Sequence, residues 1–413
     1  MKARCLFYFF LLLGFHSSCQ TFDIQPIEFP LYSIVELKGY GALLMGKSPT
    51  GNTHKINLSF VSNSNSIAWS QSLNSKGAET FVIGSDESRF WYLMDNLELI
   101  EGRYFFNQIN ATGAVKTSSS ILTHILTKIF KDISELDFNE MKIVDIFSTQ
   151  NALVHVFRYH NLKEKKYTEL AFFMTHENLI SYACFLGDTK EEVLGNGFSD
   201  HCKFIGSTHD NVYFAKRSIQ GNQKGWAVKS FTTRGANSSA TFLPNAPDVF
   251  EPIENIPFGA TGRYHLKTKP LVEENVLIQK NGKFYLVGIV LKGALRELKT
   301  FEWKDKWELL STFSLAGVVK GKNPAQLGVF PVSDGIGVHM KEMIANTVVF
   351  FPFDTKKNIL LSLYQEKMIF NASRMILSEK KQDFAVNLHD RKFFFNYTQL
   401  NKPGVVKFEY IVK

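Results

Sequence analysis

The chain has 413 residues, 45% of them hydrophobic and 21% charged, with a formal net charge of +8. That length can bury a large core, and the composition excludes a disordered polar tail. The positive excess is scattered along the chain rather than gathered into a basic stripe, which argues against nucleic acid as a partner. Aromatic residues reach 14%, with 38 Phe, 14 Tyr and 5 Trp, and residues of this kind favour packed sheets.

The N-terminus reads as an export signal. Met1-Lys2-Ala3-Arg4 is basic, Leu6 to Phe15 is an uncharged apolar run of ten residues, and small residues follow at Ser17 and Ser18. Ten residues are too few to span a bilayer, which takes about 20. Ser17-Ser18-Cys19 behind such a run resembles the cleavage site of bacterial lipoproteins, which implies a lipid on Cys19; His16 departs from that pattern. Ordinary cleavage near Ser18 or Cys19 is the competing reading. Removing Lys2 and Arg4 with the signal leaves an excess of six positive charges. The expected organisation is a signal peptide over 1–18, a linker over 19–30 and one domain over 31–413. No other apolar stretch is long enough for a spanning helix, so a membrane is expected to be met only through a lipid anchor.

Past the signal and Cys19, two cysteines remain, Cys184 and Cys202. In an exported chain their spacing suits a disulfide, worth on the order of 3 kcal/mol for a loop of that size. The same spacing also suits two buried thiols.

From residue 31 onward the pattern is that of strands, short runs of Phe, Tyr, Val and Ile bounded by Gly, Asn, Asp and Ser. Predicted hairpins pair 152–159 with 167–174, 212–219 with 226–231, and 275 to 291 about the Asn281-Gly282 turn. Others fold 298–313 around Lys304-Asp305-Lys306, 347–364 around Asp354 to Lys357, and 392–412 around Asn401 to Gly404. Connections so short make the pairs antiparallel. One segment breaks the rule: Ile121, Leu122, Ile125, Leu126, Ile129, Phe130 and Ile133 recur at helical spacing behind Ser118–Ser120, which predicts a helix over 118–134.

Strand clusters begin near residues 33, 78, 141, 203, 262, 328 and 383, a spacing close to a four-stranded propeller blade. Ile67-Ala68-Trp69, Lys76-Gly77 and the strand end Ile109 to Gly113 resemble the divergent β-propeller repeats of exported bacterial envelope proteins. The resemblance implies an all-β propeller of about seven four-stranded blades; six or eight blades, or stacked β-sandwiches, are the alternatives. There is no Trp-Asp dipeptide and no Gly-Gly pair, so WD and kelch repeats lack their signatures. Ser85 to Trp91 approaches the Asp box of sialidases but lacks its internal glycine.

Motifs with chemical content fail on context. Gly41 to Ser48 fits G-x-x-x-x-G-K-[ST] letter for letter, yet Ala42 to Met45 reads as a buried strand and Pro49 to Asn52 as a turn, where a nucleotide loop needs a helix. Nucleotide binding is therefore not expected. His155 and His160 fall on opposite strand faces, and neither HExxH nor paired CxxC occurs, so no metal or other cofactor is predicted. His201-Cys202 makes a poor catalytic pair for the same reason of opposite faces. Asp334-Gly335 reads as a tight turn. Asn57, Asn110, Asn237, Asn371 and Asn396 begin N-x-[ST] sequons, which matter only in a glycosylating host. No catalytic residue is assigned. The function expected is that of an exported binding or scaffold module for a glycan or protein partner in the envelope or outside the cell. The rivals are a structural envelope component and a polysaccharide-acting enzyme with carboxylates such as Asp86, Asp145 or Asp334 at a central channel.

Overall fold

The computed structural model describes the strands named below, the turns within 103–121, 141–161, 202–246, 275–292 and 295–314, and side chains chiefly within 40–74, 107–117, 147–188, 202–246 and 275–312. The described residues form seven sheets and no helix. The first strand, β1 (Thr21–Pro26), belongs to the last sheet. Sheet 1 is β2 (Leu31–Leu37), β3 (Gly41–Thr50), β4 (Thr53–Ser62) and β5 (Ile67–Ser75). Sheet 2 is β6 (Phe81–Ile83), β7 (Phe90–Met94), β8 (Arg103–Asn110) and β9 (Val115–Ile121). Sheet 3 is β10 (Met141–Ser148), β11 (Ala152–Asn161), β12 (Lys166–Thr175) and β13 (Ser181–Lys190). Sheet 4 is β14 (Lys203–Ser207), β15 (Asn211–Gln220), β16 (Gln223–Thr232) and β17 (Asn237–Pro244).

The chain then supplies β18 (Phe250–Glu251) to sheet 5, and β19 (Ile253–Asn255) and β20 (Val272–Glu273) to the edge of sheet 6. Sheet 5 is completed by β21 (Asn275–Lys280), β22 (Lys283–Lys292), β23 (Leu295–Lys304) and β24 (Lys306–Ser314). Sheet 6 continues with β25 (Gln326–Val332), β26 (Gly335–Lys341), β27 (Ala345–Pro352) and β28 (Ile359–Tyr364). Sheet 7 is β29 (Phe384–Asn387), β30 (Lys392–Gln399), β31 (Lys402–Glu409) and, on its outer edge, β1. β1 runs antiparallel to β31, from Thr21 opposite Glu409 to Pro26 opposite Gly404, so the two ends of the chain share one sheet.

Leaving aside the edge strands β1, β19 and β20, the sheets start at 31, 81, 141, 203, 250, 326 and 384, close to the predicted clusters except in the fifth. There β18 and β21 lie end to end along one edge of β22, and the segment between them departs to pair β19 in parallel with β25. The predicted hairpins form. At Asn281-Gly282 both residues have positive φ, 50° and 78°, as a two-residue turn between right-twisted strands requires. The last turn is tighter than the sequence suggests, because Lys402, Pro403 and Gly404 are drawn into the ladder opposite Gln399, Thr398 and Tyr397.

Two expectations need correction. Ser118–Ile121 do not begin a helix but end β9, paired with Phe106 to Arg103 of β8. The ladder to an aromatic strand outweighs a local capping preference. The remainder of that prediction, 122–134, lies outside the described residues. The stretch read as a linker, 19–30, contains β1, so the folded body begins no later than Thr21. A six-residue strand without a hairpin partner nearby in sequence gives no local sign of its role.

Strands in the body are buried on both faces. On β15, Val212 and Phe214 enter one cluster while Ala215 and Tyr213 pack into another. The clusters lie between successive sheets. Leu43, Met45, Ile56, Leu58 and Phe60 of sheet 1 meet Ile109 of sheet 2. Phe147, Val154, Phe173 and Leu186 of sheet 3 meet Phe204, Val212, Phe214 and Phe231 of sheet 4. Ile205, Ala215, Trp226 and Val228 of sheet 4 meet Leu277, Leu286, Val290 and Phe301 of sheet 5. Sheets stacked face to face in this way explain the demand for large aromatic side chains.

Candidate functional site

Polar side chains gather at the two best-described junctions, between sheets 3 and 4 and between sheets 4 and 5. At the first, Arg158 of β11 stands opposite Glu169 of β12. Its Nε and Nη2 donate to Glu169 Oε1 at 3.1 and 2.9 Å. Glu169 is fully buried, and its Oε2 accepts the backbone N–H of Cys202 at 2.8 Å, one residue before β14. The carboxylate thus ties sheet 3 to the entry of sheet 4 through charge-assisted bonds. A buried carboxylate held this way is positioned for structure rather than proton transfer.

On the outer strand β13 of the same junction, a bulge turns Leu186 and Gly187 toward sheet 4. Lys229 Nζ donates to the Leu186 carbonyl oxygen and lies 6.0 Å from the Phe185 ring centroid. Lys216 and Lys229 project from β15 and β16 on the face that also carries Phe214 and Phe231. Phe185 is 46% exposed. The neighbouring Asp188 accepts from Lys166 Nζ at 3.1 Å and from Thr168 Oγ1 at 2.8 Å.

At the second junction Arg217 is the seventh residue of β15, as Arg158 is of β11. Its Nη1 donates to Asn245 Oδ1 at 2.9 Å and its Nη2 to Asn275 Oδ1 at 2.8 Å, while its guanidinium carbon stands 3.8 Å from the Trp226 ring centroid. Asn275 opens β21, so this arginine also fastens the next sheet, here through neutral amides and a stacked indole. Asn275 Nδ2, Trp226 Nε1 and both amide atoms of Gln279 are buried without a hydrogen-bond partner among the described residues. Gly206 of β14 packs against the backbone of Gln279, where a Cβ would collide with the carbonyl oxygen.

The cysteines predicted to be bridged are both free thiols in this structure, buried in the cluster between sheets 3 and 4. Cys202 Sγ contacts the Leu186 carbonyl oxygen at 3.9 Å, and burial pushes the Cys184 thiol up. Cys19, Asp86, Asp334 and His201 lie outside the described residues, as does the side chain of Asp145. The P-loop lookalike is β3, paired on both sides by β2 and β4, with Ala42 to Met45 fully buried; its amides belong to a ladder and no helix follows. His155 is buried beside Phe157 and burial lowers its pKa to about 3; burial likewise lowers His176 to about 4, against the bond from its Nε2 to the Thr149 carbonyl. Both are neutral structural imidazoles near neutral pH. Among the described residues no three His, Cys, Asp or Glu side chains gather as a metal-binding set, and no helix is long and apolar enough to cross a membrane.

Sequence reasoning missed Arg158, Glu169, Arg217, Asn245 and Asn275. The available signal was the alignment of ALVHVFRYHN with NVYFAKRSIQ, which puts the two arginines in one column.

No family model matches the sequence, and no curated protein matches it. Among solved structures, the chain is similar to the β-propeller domain of the trilobed protease from Pyrococcus furiosus, at 7% identity over 92% of this chain and 94% of that one, with a TM-score of 0.47. It is similar to the polysaccharide lyase Uly1 at 11% identity over 92% and 90% of the two chains, TM-score 0.45. It also spans half the length of the acylaminoacyl peptidase of Pyrococcus horikoshii, at 9% identity over 93% of this chain, TM-score 0.46. Likenesses this distant carry no weight for ligand or activity.

Proposed function

We propose that this chain is an exported, lipid-anchored β-propeller of seven blades that serves as a binding or scaffold module for a glycan or protein partner. The observation that carries the reading is the pairing of β1 with β31, which sets the first strand on the outer edge of the last sheet. In this reading the N-terminal strand would help close a ring of sheets, a rigid frame whose connecting loops are free to vary and to bind. The packing of sheet 1 on 2, 3 on 4 and 4 on 5 supports the same arrangement.

The N-terminal strand also bears on export. β1 begins at Thr21, so cleavage before Cys19 leaves every described strand intact. Only Gln20 separates a lipidated Cys19 from the frame, a reach of about 7 Å for two extended residues. An anchor so short would hold the outer edge of sheet 7 against the membrane and leave the other sheets turned to their partner. Intact mass of the protein from its native host tests the anchor. A mature chain starting at Cys19 and carrying acyl chains is expected, and an unmodified mature N-terminus removes the anchor from the proposal. Capture of envelope neighbours or glycans by the purified chain then tests the binding role.

A further inference from the structure

We infer that the notch between sheets 3 and 4 bounded by Phe185, Gly187, Lys216 and Lys229 binds the carboxylate of an acidic saccharide, a uronate-bearing glycan. The inference rests on the reading of the chain as a binding module. A methyl group built on Gly187 would lie 3.9 Å from the Nζ atoms of both Lys216 and Lys229. The two ammonium groups therefore flank the empty Cβ position of a glycine and stand less than about 8 Å apart.

Among the described residues their charge is not met. Among the described residues no carboxylate pairs with Lys216 or Lys229. Glu169, which lies opposite Gly187 in the ladder, is bonded to Arg158 and to the Cys202 N–H. Asp188 is bonded to Lys166 and Thr168. Lys229 gives one hydrogen to the Leu186 carbonyl oxygen, which orients its ammonium and leaves two further donors. Two half-buried like charges close together favour an anion between them.

Phe185 decides what kind of anion. It is a large apolar side chain, 46% exposed on the outer strand of sheet 3, beside the Lys229 ammonium. A bare inorganic anion has no use for that surface. A sugar ring presents an apolar C–H face that stacks on an aromatic ring, and a uronate carries its carboxylate at the edge of the ring, within reach of the cations.

The test is calorimetric titration of the full mature chain with trigalacturonate, with its methyl-esterified form as neutral twin and sodium acetate as bare anion. Trigalacturonate is expected to bind, the ester about tenfold or more weakly, and acetate not at the same concentration. Lys216→Met, which removes an ammonium that holds no other group among the described residues, is expected to weaken binding about tenfold with unchanged melting temperature. Phe185→Ser should weaken the trisaccharide as well. Binding of the wild-type protein should fall steeply with added salt, a readout that does not depend on any variant folding. Equal binding of the ester, indifference to Lys216→Met, or salt-independent binding overturns the assignment. If an oligoglutamate binds, with affinity lowered by Lys216→Met, and trigalacturonate does not bind, the site belongs to acidic peptide and the saccharide is wrong. If trigalacturonate fails while a panel of neutral glycans or envelope proteins is captured, the notch is wrong and the binding-module reading stands; if nothing is captured, both fall.

Discussion

The junction between sheets 3 and 4 and the junction between sheets 4 and 5 solve one problem in two chemistries. Each must bring the chain out of a finished sheet and into the first strand of the next, and each uses an arginine at the seventh position of the second strand. In the first the arginine neutralises a buried carboxylate that in turn holds the incoming backbone. In the second it bonds two asparagines and stacks on an indole, and several buried polar atoms nearby have no partner among the described residues. The arginine of the first junction is matched by a buried carboxylate, whereas the second junction, among the described residues, leaves amide and indole atoms unsatisfied. A shared position therefore fixes where a sheet is fastened, while the neighbours it meets decide how firmly.

The largest effect is expected at the second junction from Gly206→Ala. The added methyl meets the Gln279 backbone, which has no rotamer to yield, so the inner strands β14 and β21 must part. Overpacking of this kind costs about 3 kcal/mol or more, and urea unfolding of the variant should show the loss in its midpoint. An unchanged midpoint would mean that the two sheets are not packed this closely.

Arg158→Met should come next, because it strands the Glu169 carboxylate in the interior. Removing one partner of a buried pair costs about 3 kcal/mol or more. Arg217→Met, which loses bonds to two neutral amides and a stacking contact rather than stranding a buried charge, should cost about 1–2 kcal/mol. The same denaturation measurement ranks the two, and an inverted order would refute the contrast between the junctions.

Acid should unfold the protein partly through His155 and His176. Both pKa values are lowered in the fold, to about 3 and about 4, from an ordinary value of 6.5. Between the folded and unfolded values the unfolded chain binds more protons, so stability falls as pH drops below about 6.5 and is fully present above it. Melting temperatures measured from pH 7.5 to 4.5 should decline in the wild-type protein and decline less in His176→Gln, which keeps a donor for the Thr149 carbonyl. A parallel decline in both would remove that histidine from the acid response. The smallest effect is expected from Gln279→Leu, which replaces an unsatisfied amide with an apolar group of similar length and should leave stability unchanged or raise it by about 1 kcal/mol.

Much of the frame was legible because its information is local. Period-two alternation, the Asn281-Gly282 turn and the regular return of strand clusters each express a backbone preference within a few residues. The buried strand inside the P-loop lookalike was legible for the same reason, since Ala42 to Met45 has no amide-exposing turn. The helical spacing misled over Ser118–Ile121 because that stretch is settled by its partners in β8, not by its own sequence. The stitches were hidden because Glu169, held by Arg158, meets the Cys202 N–H and Arg217 meets Asn275, each far along the chain.

What the sequence by itself determined is the all-β character, the hairpins and the positions at which most sheets begin. Those follow from alternation and turn chemistry, which act over short range. Only the tertiary structure decided that Thr21–Pro26 completes the last sheet, that Cys184 and Cys202 share one cluster, and that Lys216 and Lys229 converge on Gly187. Each is a meeting of segments distant in the chain. Such meetings are chosen by burial and register summed over entire sheets, a quantity that no short window of sequence contains.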